Sequence, residues 1–199
     1  MNAKNLYDTF KQQFDVVGVI KSSTYFDLAI KHTPNTPKPK YPTMVVVALA
    51  YPKRILHHEK EYLIPSFYTF GSDYHLTLKN RMLKALLNLN INYELMVDNH
   101  PHNERAAAVA AGIGFFGKNQ LIINKDFGSY MFLGIVFVDQ DIDEEIIQVV
   151  NDDCGDCVKC LQACPTKAID ESGFKVDQCI SHFNQTKKDL TEKEIKANY

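Results

Sequence analysis

Four of the five cysteines crowd into residues 154–164, as Cys154-Gly-Asp-Cys157-Val-Lys-Cys160-Leu-Gln-Ala-Cys164, with Pro165 directly after. Two residues between thiols let Cys154, Cys157 and Cys160 turn around three corners of one 4Fe-4S cubane. A fourth thiol three residues further on, ahead of proline, reaches a different cluster. Zinc sites pair short Cys motifs that lie far apart, so this stacking favours iron–sulfur over a zinc knuckle. Two cubanes held by cysteine alone need about eight thiolates, and the chain has five. Cys179 lies where a ligand of the second cluster belongs, which divides the thiols as Cys154, Cys157 and Cys160 against Cys164 and Cys179. Neither set is complete, which leaves open a fragment, one irregular cluster or borrowed ligands.

With 199 residues, 45% hydrophobic and 23% charged, the chain has material for one sizeable core and a small appended module. Acidic residues from Asp139 to Glu145 loosen the composition, so the expected domains are 1–145 and 146–199. No stretch approaches the roughly 20 apolar residues of a membrane span. The start, MNAKNLYDTFKQQF, is amphipathic rather than a signal sequence. The expectation is a cytoplasmic monomer with no membrane contact, in a reducing compartment where clustered thiols favour metal over disulfide. A net charge of −2 excludes global attraction to nucleic acid, and the basic strip from Lys31 to Lys40 reads as a solvated face. His57, His58, His100 and His102 have no spacing that fixes a metal geometry and stay unassigned.

The pattern along the chain is α/β. It predicts a helix to about residue 14, a strand over 15–21 and a helix near 25–32. A Pro-rich connector, TPNTPKPKYP, then leads to the strand TMVVVALA, whose unbroken apolar run implies burial on both faces and a central place in the sheet. Residues 52–70 are aromatic and irregular. Ser72 is placed to cap a long helix whose leucines 76, 83, 86, 87 and 89 are read as core. A strand over 93–97, the turn Asp98-Asn-His-Pro101, an alanine-rich helix over 104–111 and strands over 120–124 and 129–138 follow. Residues 187–199 read as a short charged helix.

Gly112-Ile-Gly-Phe-Phe-Gly117-Lys118-Asn119 satisfies both GxGxxG and GxxxxGK. Context argues against a nucleotide site. Phosphate loops leave a strand and open a helix, whereas here a helix comes first and a strand follows, and position 119 is Asn where magnesium needs Ser or Thr. The glycines are read instead as permitting positive φ after a helix and close packing against something flat.

The stretch VDNHPHNERAAAVAAGIGFFGKNQLIINKDFGSYMFLG, then CGDCVKCLQACPTKAI, then VDQCISHF, resembles the epoxyqueuosine reductase family, and GSDYH resembles its Gly-x-Asp-Tyr-His helix start. The resemblance runs from about Gly71 to Phe183. It implies an α/β cobalamin-binding domain akin to nitroreductase and reductive dehalogenase folds, followed by a partial ferredoxin-like module. It also implies cobalamin and two 4Fe-4S clusters that deoxygenate epoxyqueuosine in the tRNA anticodon, with an external electron donor. Asp98 takes the place of the proton donor, and the chemistry wants one, because opening an epoxide leaves an alkoxide to protonate. Shielding by corrin and protein is expected to raise its pKa. The corrinoid contacts implied are Asp73, Tyr74, His75, Gly117, Lys118, Asn119, Gln120, Gly128, Ser129 and Ser181.

Family members carry a second Cys-x2-Cys-x3-Cys-Pro motif and, in many, helical repeats that engage tRNA. The resemblance therefore implies that three further cysteines lie beyond Tyr199, and five plus three restores eight. The N-terminal part is also shorter than the family's and lacks its Gly-Glu-Met-x-Trp segment. The competing readings are a corrinoid-binding or single-cluster electron-transfer protein without epoxide chemistry, and a scaffold that holds neither iron nor corrin.

Overall fold

The computed structural model describes residues 2–52, 66–148, 150, 153–189 and 191–192. Its element order is α1 (Ala3–Lys11), β1 (Val16–Lys21), α2 (Ser22–His32), β2 (Thr43–Ala50), α3 (Tyr74–Leu86), β3 (Tyr93–Met96), α4 (Glu104–Ala110), β4 (Phe115–Phe116), β5 (Ile122–Ile123), β6 (Met131–Val138), α5 (Lys159–Ala163), β7 (Ile169–Asp170), β8 (Gly173–Phe174) and α6 (Ile180–Gln185). The chain divides into two compact units, residues 1–115 with 122–152, and residues 116–121 with 153–199.

The first unit is built on a four-stranded sheet of order β1-β2-β6-β3, antiparallel throughout. Thr43 pairs with Val138 and Ala50 with Met131, and Thr43 to Ala48 pair with β1 as well, so over those residues β2 lies between β1 and β6. Alternate residues sort to opposite faces, as the strand period of two requires. Val17, Val19, Val45, Val47, Val136 and Val138 join a core with Leu6 and Phe10 of α1 and Leu78 and Met82 of α3. On the other face Tyr25 of α2 meets Phe137 edge-on at 6.3 Å. A Cβ on Gly18 would lie 2.5 Å from the Ala111 carbonyl, just past α4. Both faces are covered, and that is why the β2 run is continuous even though its neighbours are antiparallel.

Helix α3 differs from expectation in its cap and in its buried stripe. Asp73, not Ser72, is the N-cap; its carboxylate accepts the His75 N–H at 2.8 Å. The buried stripe is Leu78, Met82, Ala85 and Leu86, whereas Leu76, Leu83 and Leu87 are 61%, 42% and 79% exposed. At 3.6 residues per turn the inward face starts at Tyr74 and steps by three or four. Leu76, Leu83 and Leu87 follow the same spacing on another face. The helix can lie close because β6 carries Gly134 beneath it, where a Cβ would stand 3.2 Å from Leu78 Cδ2 and 3.3 Å from Met82 Cε.

The expected strand over 120–124 shrinks to Ile122–Ile123, because Gln120 adopts φ 64° in a turn closed by its N–H on the Gly117 carbonyl. The division of the chain also falls later than residue 145. Ile146 bridges Val19 through both of its backbone groups (2.9 and 2.7 Å), which keeps this stretch on the first unit, and residues 116–121 go with the second. Residues 53–65 of the stretch expected to be irregular over 52–70, with His57 and His58, and most of the charged helix expected over 187–199 lie outside the described residues. Among the described residues no helix is long and apolar enough to cross a membrane.

The second unit holds the cysteine run, the two-stranded ladder β7–β8 and α6. Ala168 and Phe183 are its buried apolar side chains among the described residues.

Candidate active site and metal-binding module

The start of α3 and the turn after β3 meet in the first unit. Asp73 Oδ1 accepts both the His75 backbone N–H and, at 2.9 Å, the ring Nδ1 of His75. The other ring nitrogen, Nε2, stands 3.1 Å from Asp98 Oδ2. An imidazole facing carboxylates through both nitrogens is best satisfied as the imidazolium, the only form with two donors. The hydrogen bond to Asp98, followed by that to Asp73, accordingly raises the His75 pKa above its ordinary value. Bonding to His75 holds the Asp73 carboxyl below the usual range. Tyr74 stacks on the His75 ring at 3.9 Å and on Phe132 at 4.4 Å. Burial, then the Asp98 charge beside it, pushes its hydroxyl up to about 12, so it remains a proton-bearing donor.

Asp98 has φ 61°, a left-handed conformation that Asp and Asn enter more readily than other L residues. Glu104, in the first turn of α4, ties this turn down. One carboxylate oxygen accepts the Asp98 N–H at 3.0 Å and meets His100 Nε2 at 3.0 Å. The His102 N–H donates to His100 Nδ1 at 3.2 Å, which leaves Nε2 to carry the proton toward Glu104. The turn is pinned further on. Asn103 caps α4, its N–H donates to the Tyr25 hydroxyl at 3.0 Å, and its side-chain amide donates to Thr33. His100 and His102 thus have structural work, and a cavity of about 400 Å³ opens beside Asp98, His100, His102 and Glu104.

The expected shielding of Asp98 is not supplied by the described side chains around it. Its carboxylate is 59% exposed and is paired with His75. From Tyr74 an aromatic ledge continues through Phe132 to Tyr51 (4.6 Å) and Tyr130 (5.7 Å from Tyr51). Gly128 (φ 60°) and Ser129 form the turn that delivers Tyr130, with Gly128 bonded both ways to Asn124. Of the residues singled out in this unit, Asp73, Tyr74, His75 and Asp98 converge, and Gly128 and Ser129 join only through the ledge. Sequence reasoning missed Glu104 and Phe132. The four-residue spacing from His100 to Glu104 signals the first, and nothing local signals the second.

In the second unit none of the five cysteines is joined in a disulfide, and Cys157 is the most open of them, the other four being half-buried. Cys154 to Cys157 is a turn closed by the Cys157 N–H on the Cys154 carbonyl (2.9 Å), with Gly155 at φ 44°. Cys160 lies in the first turn of α5 and Cys164 caps its end. Burial alone raises the Cys164 thiol, but bonds from the Thr166 hydroxyl and the N–H groups of Ile169, Ala168 and Thr166 outweigh it, and the net shift is downward. Donors gathered on a sulfur favour the thiolate that binds metal. Cys179 sits between a 3-10 turn and α6, and Ser181 accepts from Gln185 in the exposed first turn of that helix. Among the described residues no three His, Cys, Asp or Glu side chains converge as a single-ion site. Gly117, Asn119 and Gln120 form a self-closed turn. Lys118 directs its ammonium at the carbonyls of Gly155 (2.8 Å) and Cys157 (3.1 Å).

A mixed α/β body followed by an iron–sulfur module is the class that fold and motif define. Residues 153–199 match the family model described as a 4Fe-4S double cluster binding domain. The chain is 35% identical over 155 residues to the epoxyqueuosine reductase of Lactococcus garvieae, covering 73% of this chain and 44% of that protein. It is 31% identical over 195 residues to that of Bacillus subtilis, covering 91% and 50%. The structure of epoxyqueuosine reductase from Streptococcus thermophilus superposes with a TM-score of 0.76 at 27% identity, over 97% of this chain and 60% of that one. An epoxyqueuosine reductase solved with an epoxyqueuosine-modified tRNA stem loop gives 0.74 at 27%, over 98% and 60%. A catabolic reductive dehalogenase shares the fold alone, at 0.52 and 13% identity over 75% of this chain and 21% of its own. The chain belongs to the epoxyqueuosine reductase family. It spans about half the length of the curated relatives it matches.

Proposed function

We propose that this chain carries the proton-delivering centre and part of the electron relay of an epoxyqueuosine reductase, which acts on epoxyqueuosine in a tRNA anticodon. The observation that carries the reading is the Asp73–His75–Asp98 chain, with Asp98 open to a reactant and His75 behind it. Converting an epoxide to an alkene takes two electrons and two protons and releases water, so the oxygen must be protonated twice before it leaves. Asp98 is the group that touches that oxygen. His75 holds the proton behind Asp98, Asp73 fixes the imidazole, and Tyr74 offers a second donor at the same carboxylate.

Cobalamin fits the first unit by its partly exposed aromatic cluster, in which Tyr74 stacks on Phe132 and the tilted Tyr51 ring packs beyond it, with the Gly128–Ser129 turn alongside at Tyr130. When bound, it supplies the low-valent metal chemistry that side chains lack. The thiolate-favouring surroundings of Cys164 and the turn at Cys154–Cys157 fit iron–sulfur ligation, which passes electrons singly from an external donor.

The test is turnover of an epoxyqueuosine-bearing anticodon stem loop by the cobalamin- and iron-loaded protein, with Asp98→Asn as the variant. Asparagine tolerates the left-handed backbone and cannot supply the proton. Loss of turnover by about 100-fold or more, with cobalamin still bound, is expected. Undiminished turnover contradicts the role of Asp98. A parent that binds corrinoid and transfers electrons but never converts the stem loop favours a corrinoid-binding electron carrier instead.

A further inference from the structure

Lys118 lies in the short loop that packs with the cysteine module, and it contacts the turn of the first two cysteines in three ways. Its backbone N–H donates to Cys154 Sγ at 3.4 Å, and its ammonium donates to the carbonyls of Gly155 at 2.8 Å and Cys157 at 3.1 Å. The loop is stiff enough to aim it. Gly117 N–H bonds the Leu121 carbonyl (2.8 Å), Gln120 N–H bonds the Gly117 carbonyl (2.9 Å) and Leu121 N–H bonds Asn119 Oδ1 (3.1 Å). The turn it grips contains Asp156 and is preceded by Asp153, whose carboxylate accepts the Gly155 N–H. Lys118 therefore sets a fixed positive charge, and a donor to sulfur, against two carboxylates beside the same thiols.

We infer that Lys118 is a positioning residue that clamps the Cys154–Cys157 turn and raises the reduction potential of the cluster ligated there. The inference rests on the reading that this motif holds iron–sulfur. Reduction adds one electron, and one negative charge, to the cluster. A cation held nearby stabilises that charge, and hydrogen bonds to sulfur and local net charge are the levers that set such potentials. Replacing the side chain keeps the backbone N–H bond to Cys154 and removes only the ammonium, so the two contributions separate.

The experiment loads the chain anaerobically with iron and sulfide and titrates it with dithionite, following the reduced cluster by electron paramagnetic resonance. The parent is compared with Lys118→Met, Lys118→Gln and Lys118→Arg. The methionine variant is expected to be about tenfold harder to reduce, a shift of about 59 mV to more negative potential for one electron. Glutamine, which can still donate to the two carbonyls but carries no charge, follows methionine, and arginine stays with the parent. Neutral variants that titrate at the parent's potential overturn the inference, as does an arginine variant that behaves like methionine. Loading by the parent and by neither neutral variant also overturns it, in favour of a purely structural tie. A parent that holds no cluster removes the underlying reading itself.

Discussion

At the scale of single residues, the site turns on where one proton resides. His75 lies between two carboxylates, and each favours its charged form. Its pKa is raised from the ordinary 6.5, so the sign follows. The stabilisation from this pair is full below pH 6.5 and is lost as pH rises through the higher folded value. Following the His75 ring by NMR across pH is expected to give a midpoint above 6.5. In Asp98→Asn, which removes the larger cause, that midpoint moves down; a midpoint that stays put would show that Asp98 does not hold the ring. Asp98 itself was legible as a candidate only through the VDNHP motif, since an Asp ahead of a turn is ordinary. The bond from His75, twenty-three residues back, depends on how α3 approaches the sheet end, and no local pattern encodes that, whereas the bond to Glu104, six residues on, is local to the turn.

At the scale of elements, the glycine stretch after α4 is a packing device. Gly112 has φ 68°, and a Cβ there would lie 1.9 Å from the Gln148 carbonyl oxygen. A Cβ on Gly114 would lie 2.4 Å from the Ile123 carbonyl oxygen. Positive φ is found at Gly112 and not at Gly114 or Gly117, and close approach at Gly112 and Gly114, where the surface approached is the chain's own backbone. Gly112→Ala is expected to lower unfolding stability by on the order of 3 kcal/mol, from left-handed strain together with the clash. Urea denaturation checks it, and a loss under about 0.5 kcal/mol, the range of an ordinary surface change, would contradict the packing role. The β2 strand was legible because eight consecutive residues, TMVVVALA, leave no polar face. The α3 stripe was misread because leucines occur on two faces, and only Gly134 across the sheet determines which face goes inward. Antiparallel pairing was not legible, because a strand buried on both sides looks alike in either direction.

At the scale of the whole molecule, the sequence divides its work between a sheet body that organises Asp98 and a thiol-rich unit in which, among the described residues, no hydrophobic core of comparable size is found. Small modules of this kind commonly draw their stability from bound metal. The cysteine spacing announced the module's chemistry, since cluster ligation demands residues close in sequence. The Lys118 contact was hidden because its partners lie 36 to 39 residues away. The most direct test of the account is the iron and acid-labile sulfide content of the anaerobically reconstituted chain, measured beside Cys154→Ala and Cys157→Ala. Iron and sulfide in equal amounts, with the brown absorbance of a cubane that both substitutions diminish, is the predicted result. Stoichiometric zinc without sulfide, or a colourless chain whose metal content ignores both cysteines, would contradict it.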